Sequence, residues 1–239
     1  MARRSYEQLC AVARALDVVG ERWTLLLVRE LLFGPRRFGE LEEALPGIGP
    51  NLLSARVKAL AEEGVIRRVA LRTDARGGGI GYELTEQGRS LEPVLLALAR
   101  WELSRTTEVP DLAAGPAGPG SAAGGGIILP QVRPEWAILA LRARFAAGSS
   151  SGLAESYQVE IGERAFRLEV RDGRVETTAG RDPNAAVTVR ADAATIARIA
   201  LGGISLEQAA AAGRVQLAGS PFAAARFARV FDLERGAAA

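Results

Sequence analysis

A stretch without any regular hydrophobic period interrupts the chain near its middle. From about Val109 to Pro134, in EVPDLAAGPAGPGSAAGGGIILPQVRPE, Pro, Gly, Ala and Ser displace both the helical and the strand pattern. The segments on either side are each roughly 105 residues long, an ordinary size for one domain. The sequence therefore predicts two domains, at 1–106 and 134–235, joined by a linker at 107–133.

Composition narrows the class of protein. The 239 residues are 48% hydrophobic and 24% charged, as in ordinary soluble globular proteins. We expect no transmembrane helix, since no run of about 18 apolar residues exists. The first residues lack a convincing signal-peptide cleavage site, so we expect a cytoplasmic protein with no membrane partner.

The sequence is poor in two of the residue types on which enzyme catalysis often depends. The chain has no His and one Cys, Cys10, which leaves it without the commonest general base, an intramolecular disulfide or a Cys–His zinc site. We therefore expect no enzyme, no cofactor and no metal site. Of the 30 basic residues only Lys58 is lysine. Arginine suits bidentate contact with phosphate and guanine, but GC-rich codon usage would produce the same bias, and both interpretations stay open.

The first segment begins with four predicted helices. The first is YEQLCAVARALDVVG, and the second, RWTLLLVRELLFG, is apolar on most sides and is expected at the buried centre. A short third helix, RFGELEEALP, is followed by GIGPNLLSARVKALAEEG, whose Leu53, Val57 and Leu60 are expected to face the core. The helical spacing of the first helix is carried by Leu9, Val12, Ala13, Leu16 and Val19.

Two strands and a last helix complete this segment. VIRRVALR and YEL flank the turn TDARGGGIG, and EQGRSLEPVLLALARWELSR reads as one helix. Three glycines, Gly77 to Gly79, would suit a phosphate-binding loop only if a helix followed directly, and a strand follows instead. The order of elements favours a winged helix, with a helix for the major groove and a hairpin for the DNA backbone. The apolar stripe of the last helix consists of Leu91, Val94, Leu95, Leu98 and Trp101.

Several motifs carry a family resemblance. ALDVVGERWTLLLVREL, RFGELEEALPGIGPNLLSARVKALAEEGVIRR and YELTEQGRSLEPVLLALARW resemble the HxlR-type transcription regulators over nearly all of Cys10 to Trp101. The resemblance implies a homodimer whose terminal helices pack together and whose recognition helices lie about 34 Å apart on a pseudo-palindromic operator in double-stranded DNA. Some such proteins sense oxidants through an N-terminal cysteine, which requires a lowered thiol pKa and access to solvent. We expect Cys10 instead to be a small buried residue on a helix packing face.

The predicted DNA contacts lie on the fourth helix and on the hairpin. The alternative is a solvated helix face. Gly49 stands where the family often has a serine before the recognition helix, and GGGIG replaces its proline-rich approach to the second strand. On the helix the expected outward residues are Asn51, Ser54, Ala55, Arg56 and Lys58, with Arg56 the foremost candidate, and on the hairpin they are Arg72 and Arg76.

The second segment predicts an α+β domain. PEWAILALRARFAA is an amphipathic helix, and ESYQVEIGERAFRLEVRDGRVETTAGRDPNAAVTVRAD alternates as an antiparallel sheet with one buried face. AATIARIALGG and SLEQAAAAGR are helical, VQLAGS is a strand, and a last helix opens near Pro221. That helix is expected to bury Phe222, Phe227, Val230 and Phe231.

This order resembles the sterol-carrier-protein type 2 fold from about Tyr157 to Leu233. VRDGRV, GRDPNAAVTVRADAATIARIALGGISLEQAAAAGRVQLAGS and the closing aromatic helix carry the resemblance. It implies a cavity between sheet and helices for an apolar small molecule. The alternative is a filled core, since any α+β domain needs such side chains. The candidate lining residues are Phe166, Leu168, Ile196, Ile199, Leu206, Phe222 and Phe227.

Overall fold

A computed structural model describes residues 5–72, 78–105 and 132–236. The chain divides into two compact units, Met1–Leu95 and Leu96–Ala239. The division falls within a helix and not in the predicted linker, almost all of which lies outside the described residues. The limits of the linker and of the two predicted domains stay predictions.

The first unit has the predicted order of a winged helix. Its two strands pair antiparallel, from Ile66 opposite Leu84 to Leu71 opposite Gly79. Its helices are α1 (Ala11–Val19), α2 (Thr24–Leu31), α3 (Phe38–Ala44), α4 (Pro50–Glu62) and α5 (Glu86–Arg89), and its strands are β1 (Ile66–Leu71) and β2 (Gly79–Leu84). The division between the units falls within α6 (Glu92–Arg105), after Leu95.

Helix α2 lies at the centre of this unit, as predicted. Leu27, Val28 and Leu31 are buried because apolar residues occupy most sides of this helix. The expected inner face of α4 is also confirmed. Leu53, Val57 and Leu60 pack into the same cluster. It also includes Leu41 and Leu45 from α3 and its C-terminal end, and Val65, Ile66 and Leu84 from the hairpin and the residue before it.

Two details of the first unit differ from the prediction. The expected last helix is two helices, α5 and α6, because Pro93 has no N–H to donate to the carbonyl of Arg89, as a continuous helix would require. Strand β2 begins at Gly79 and includes part of the expected turn. At Gly81 the chain passes so close to Leu71 and to the carbonyl of Arg36 that a side chain would collide with them.

The second unit is an α+β domain with a five-stranded sheet. The strand order is β5-β4-β3-β6-β7. The predicted antiparallel sheet is confirmed for three of the four neighbouring pairs, and the fourth pair, β3 with β6, is parallel. The helices are α7 (Pro134–Ala143), α8 (Ala193–Ala200), α9 (Leu206–Ala211) and α10 (Pro221–Val230), and the strands are β3 (Ala154–Ile161), β4 (Arg164–Arg171), β5 (Arg174–Ala179), β6 (Val187–Ala191) and β7 (Gln216–Gly219).

The parallel pair follows from the connection between β5 and β6. This segment returns across the sheet, so that β6 lies beside β3 and not beside β5. Buried Gln158 holds it there: the side-chain amide donates to the carbonyls of Phe166 (3.1 Å) and Gly180 (3.2 Å), and its oxygen accepts from the backbone N–H of Asp182 (2.6 Å). One side chain therefore satisfies three backbone groups on the crossing segment and the sheet.

Helix starts in this unit follow local chemistry. Asp192 accepts a hydrogen bond from the backbone N–H of Thr195 at 2.7 Å, and so caps α8. Ser205 and Gln208 form a reciprocal capping box at the start of α9, with distances of 3.0 and 2.9 Å. Proline occupies the first turn of α7 and α10, where its missing N–H costs nothing.

Helix α10 corrects one expected core residue. Phe227 and Phe231 are buried, and their rings lie 5.3 and 6.3 Å from the ring of Tyr157. Phe222, which was expected to be buried with them, is 79% exposed. It precedes Phe227 by five residues, which is about 140° around a helix, so the two side chains occupy different faces.

Replacing Gly88 by Ala is expected to lower the free energy of unfolding by about 1–3 kcal/mol, the cost of overpacking a filled site. A Cβ at this position would lie 2.1 Å from the carbonyl oxygen of Val65. Gly39→Ala in α3 is the matched control, because a Cβ there meets nothing within 4 Å. Urea unfolding and hydrogen exchange at the β1 and β2 amides measure the difference, and equal stability of the two variants would contradict the expectation.

Candidate nucleic-acid interface

Helix α4 presents a polar face opposite its buried one. Asn51, Ser54, Ala55 and Lys58 are exposed, as predicted. Gly49 precedes the helix in extended geometry and provides no side-chain cap, and Pro50 has no N–H. The backbone N–H groups of Asn51 and Leu52 therefore have no acceptor within the helix. A helix start of this kind is suited to meet a phosphate oxygen.

Arg56 does not point outward with these residues. Its side chain is only 22% exposed, and its Nη2 lies 2.7 Å from Oε2 of Glu21. Its Nε donates to the backbone carbonyl of Arg22 at 3.3 Å. The expectation of an outward Arg56 is wrong, because the long side chain lies across the turn between α1 and α2. Its direct contact with DNA stays a prediction.

Lys58 is the exposed cation of α4. Its side chain is 78% exposed, and its Nζ lies 3.8 Å from Oε1 of Glu62 one turn later. Exposed pairs of this kind are worth only about 0.3–0.5 kcal/mol in a helix. The ammonium group can leave Glu62 for a phosphate at little cost.

The hairpin adds arginines next to α4. Arg72 is exposed just after β1, and Arg76 lies outside the described residues. Arg67 pairs with Glu83 across the hairpin at 2.6 Å. Arg68, which the sequence reasoning did not select, is exposed opposite Tyr82. Alternation along β1 places Arg67 and Arg68 on opposite faces of the strand, so Arg67 meets Glu83 while Arg68 lies beside Tyr82.

Cys10 is exposed, and the expectation of a buried thiol is wrong. It lies directly before α1, at the N-cap position. The nearby backbone N–H groups of Ala13 and Val12, at the start of the helix, lower the pKa of its thiol, because they favour the thiolate. Cys10 therefore combines access to solvent with a lowered thiol pKa, and neither property is visible as a pattern in the sequence.

In the second unit, six of the seven candidate ligand residues lie together in the core. Each of these side chains is at most 3% exposed, and Phe222 lies outside the group. Whether they line a cavity stays a prediction. A described cleft lies at the hairpin of β4 and β5, and it is charged, not apolar, since its walls are Glu169, Arg171, Asp172, Arg174 and Glu176. The six buried residues are Phe166, Leu168, Ile196, Ile199, Leu206 and Phe227.

A polar group borders this core. The hydroxyl of buried Tyr157 donates to Oε2 of Glu155 at 2.8 Å, and Glu155 pairs with Arg226 on α10. Burial, followed by the neighbouring carboxylate, raises the pKa of Tyr157, so its hydroxyl stays protonated. The ion pair fixes α10 to β3 at the edge of the aromatic cluster.

Within the described ranges, no group of three or more Cys, Asp or Glu residues could hold a metal ion. Among the described residues, a helix with the length and hydropathy necessary to span a membrane is not found.

Comparison with known proteins identifies the family of the first unit. Residues 18–109 match the model of the HxlR-like helix-turn-helix, and residues 158–237 match that of a sterol carrier protein domain. The HTH-type transcriptional regulator YvaP of Bacillus subtilis is 42% identical over 89 residues, which are 37% of this chain and 80% of YvaP. The chain belongs to the HxlR-like helix-turn-helix family.

Other relatives match the chain over a similar share. Rv3095, an HTH-type transcriptional regulator of Mycobacterium tuberculosis, is 46% identical over 91 residues, and the match covers 38% of this chain and 56% of the relative. The chain thus spans about half the length of this mycobacterial protein. A crystal structure of the HTH-type regulator ytcD matches with 31% identity and a TM-score of 0.37, over 41% of this chain and 97% of that one.

Replacing Lys58 by Gln is expected to weaken binding to all DNA sequences alike. It should also reduce the slope of log affinity against log salt concentration by about one, because one fewer phosphate is neutralised. Fluorescence anisotropy with labelled duplexes at several salt concentrations measures both. Arg171→Gln removes an exposed charge from the second unit and is the control, whose slope should equal that of the wild type. An unchanged slope for Lys58→Gln would exclude the contact.

Proposed function

We propose that this protein is a transcription regulator that reads double-stranded DNA with α4 and the β1–β2 hairpin. The observation that carries the proposal is the outward face of α4. It combines Asn51 and Ser54 at an uncapped helix start with the loosely paired Lys58. Small and polar side chains allow close approach to base edges, while Lys58 and Arg72 supply charge for the backbone. Its place of action would be the cytoplasm.

The regulator is proposed to act as a homodimer. On α6, Val94, Leu98 and Trp101 follow the spacing of one helix face and remain exposed, while Leu95 is buried. On α1, Val12 and Leu16 are likewise exposed. Two helices with uncovered apolar faces favour burial against a second copy of the chain. A two-fold dimer would present two α4 helices to successive major grooves, about 34 Å apart, on a pseudo-palindromic operator.

The second unit is proposed to bind an apolar small molecule that controls DNA binding. Support comes from the match to a sterol carrier protein domain and from the apolar residues between its sheet and helices. Control requires that the molecule bind the DNA-competent and the incompetent state with different affinity.

A second role for this unit has its own support. The six candidate ligand residues are almost fully buried, as they would be in a filled core that strengthens assembly or binds a protein. In that case the chain remains a DNA-binding regulator, but without a small-molecule effector.

Replacing Leu98 by Glu is expected to convert the dimer into a monomer, since a carboxylate on the proposed contact would have to be buried. Leu98 is 46% exposed, so the monomer should still fold. Leu217→Glu is the matched control, because Leu217 is similarly exposed (39%) and lies on β7. Sedimentation velocity gives the mass of each variant. A Leu98→Glu protein with the mass of a dimer would refute this interface.

Organic extraction of the purified protein is expected to change its affinity for DNA from its own promoter. An apolar molecule that copurifies and favours one state is removed by extraction, so the equilibrium between the states shifts. Anisotropy titrations before and after extraction measure the change, and adding the extract back should reverse it. Unchanged affinity would favour the assembly role, and absence of DNA binding at moderate salt would refute the regulator itself.

A further inference from the structure

Arg56 is the basic residue of α4 that the fold holds most firmly. Its guanidinium has two acceptors on the α1–α2 turn, the carboxylate of Glu21 at 2.7 Å and the backbone carbonyl of Arg22 at 3.3 Å. Lys58, by contrast, has a single pair at 3.8 Å. Charge-assisted hydrogen bonds at short distance are much stronger than a long exposed pair. Arg56 would have to give up both acceptors to reach DNA.

The turn that receives Arg56 has a fixed shape. Gly20 packs so closely on α1 that a Cβ would lie 2.5 Å from the carbonyl oxygen of Leu16. Trp23 adopts a left-handed backbone conformation (φ 78°), which is unusual for a bulky residue and persists only where the surroundings hold it. Its ring packs against the core of the unit, and the guanidinium of Arg22 lies over it, 5.2 Å from its centre.

The acceptors lie on the rigid α1–α2 turn and the donor, Arg56, lies on α4, so their hydrogen bonds restrict the angle between α4 and this turn. Leu53, Val57 and Leu60 fix which face of α4 is buried, but an apolar contact is not directional and still permits a helix to tilt. Hydrogen bonds from Arg56 are directional, and they are made from the side of the helix. These hydrogen bonds therefore restrict the tilt of α4, which hydrophobic packing alone does not determine.

We propose that Arg56 is a positioning residue: its hydrogen bonds to Glu21 and Arg22 set the angle at which α4 meets DNA, and its guanidinium makes no DNA contact. This assignment rests on the proposed function. The turn follows directly after α1, which is proposed to contact the second copy of the chain. The same hydrogen bonds therefore couple the orientation of α4 to that of α1.

A double-mutant cycle tests this role in the full-length protein. Glu21→Gln, Arg56→Gln and the double variant are titrated with promoter DNA at several salt concentrations. Each single variant should weaken binding by roughly two- to fivefold, the equivalent of one ion pair, and the double variant should be no weaker than Arg56→Gln alone. The salt slope should stay that of the wild type in all three, because no phosphate contact is lost. Lys58→Gln, whose slope falls, is the reference for a phosphate contact.

A direct DNA contact gives the opposite pattern. Arg56→Gln would then lower the slope by about one, and Glu21→Gln, which releases the guanidinium, would strengthen binding or leave it unchanged. Either result overturns the assignment. Arg56→Lys separates the two roles further, because it retains the charge but loses the forked geometry. A positioning residue predicts that Arg56→Lys binds as weakly as Arg56→Gln, and recovery of wild-type affinity by Lys overturns it.

A measurement without DNA distinguishes this proposal from the proposed function. Hydrogen–deuterium exchange at the α4 amides should accelerate in Glu21→Gln and at least as much in Arg56→Gln, which loses both acceptors. It should remain unchanged in Glu62→Gln, which breaks only the pair with Lys58. Failure of the wild type to bind any DNA would refute the regulator, and the exchange result would still decide whether Arg56 holds α4. Unchanged exchange in the Glu21 and Arg56 variants overturns the positioning role.

Discussion

The burial of α2 is the constraint on which the first unit depends. Leu27, Val28 and Leu31 form the centre of one apolar cluster, and burying each is worth about 1.5–3 kcal/mol. Helices α3 and α4 and the hairpin all contribute side chains to that cluster. Because Leu53, Val57 and Leu60 must reach it, the rotation of α4 about its own axis is fixed. The polar face that remains outside is therefore a consequence of the core.

Periodicity in the sequence was sufficient to predict which residues of α4 are buried, because helical geometry repeats locally. It was not sufficient for Arg56. A long side chain reaches well to the side of its own backbone position, and its partner Glu21 is 35 residues away in the chain. Phe222 is a different case. The helical period places Phe222 on a different face of α10 from Phe227 and Phe231. Its exposure could therefore have been predicted from the spacing of these residues in the sequence.

The pairing of strands that are distant in the chain is the second feature that could not be predicted from the sequence. The strands of the second unit were visible as alternating residues, and the mixture of helices and sheet was predicted correctly. The parallel neighbours β3 and β6 were not, because nothing local records which edge a returning chain will choose. The packing around that sheet also bears on ligand control. Phe166, Leu168 and Phe227 are buried in this unit, so an apolar ligand that contacts them would be enclosed by the core, and it would control DNA binding only by favouring one conformation over another.

The position of the single lysine in α4 has a practical consequence. Arginine supplies every other basic side chain in the sequence, so Lys58 carries its one side-chain amine. It is highly exposed and lies on the outward face of α4. Among side chains, a fluorophore that reacts with primary amines would therefore label this helix alone, the α-amino group of the chain being the other reactive amine, and an acyl group on Nζ would remove its positive charge without touching the core.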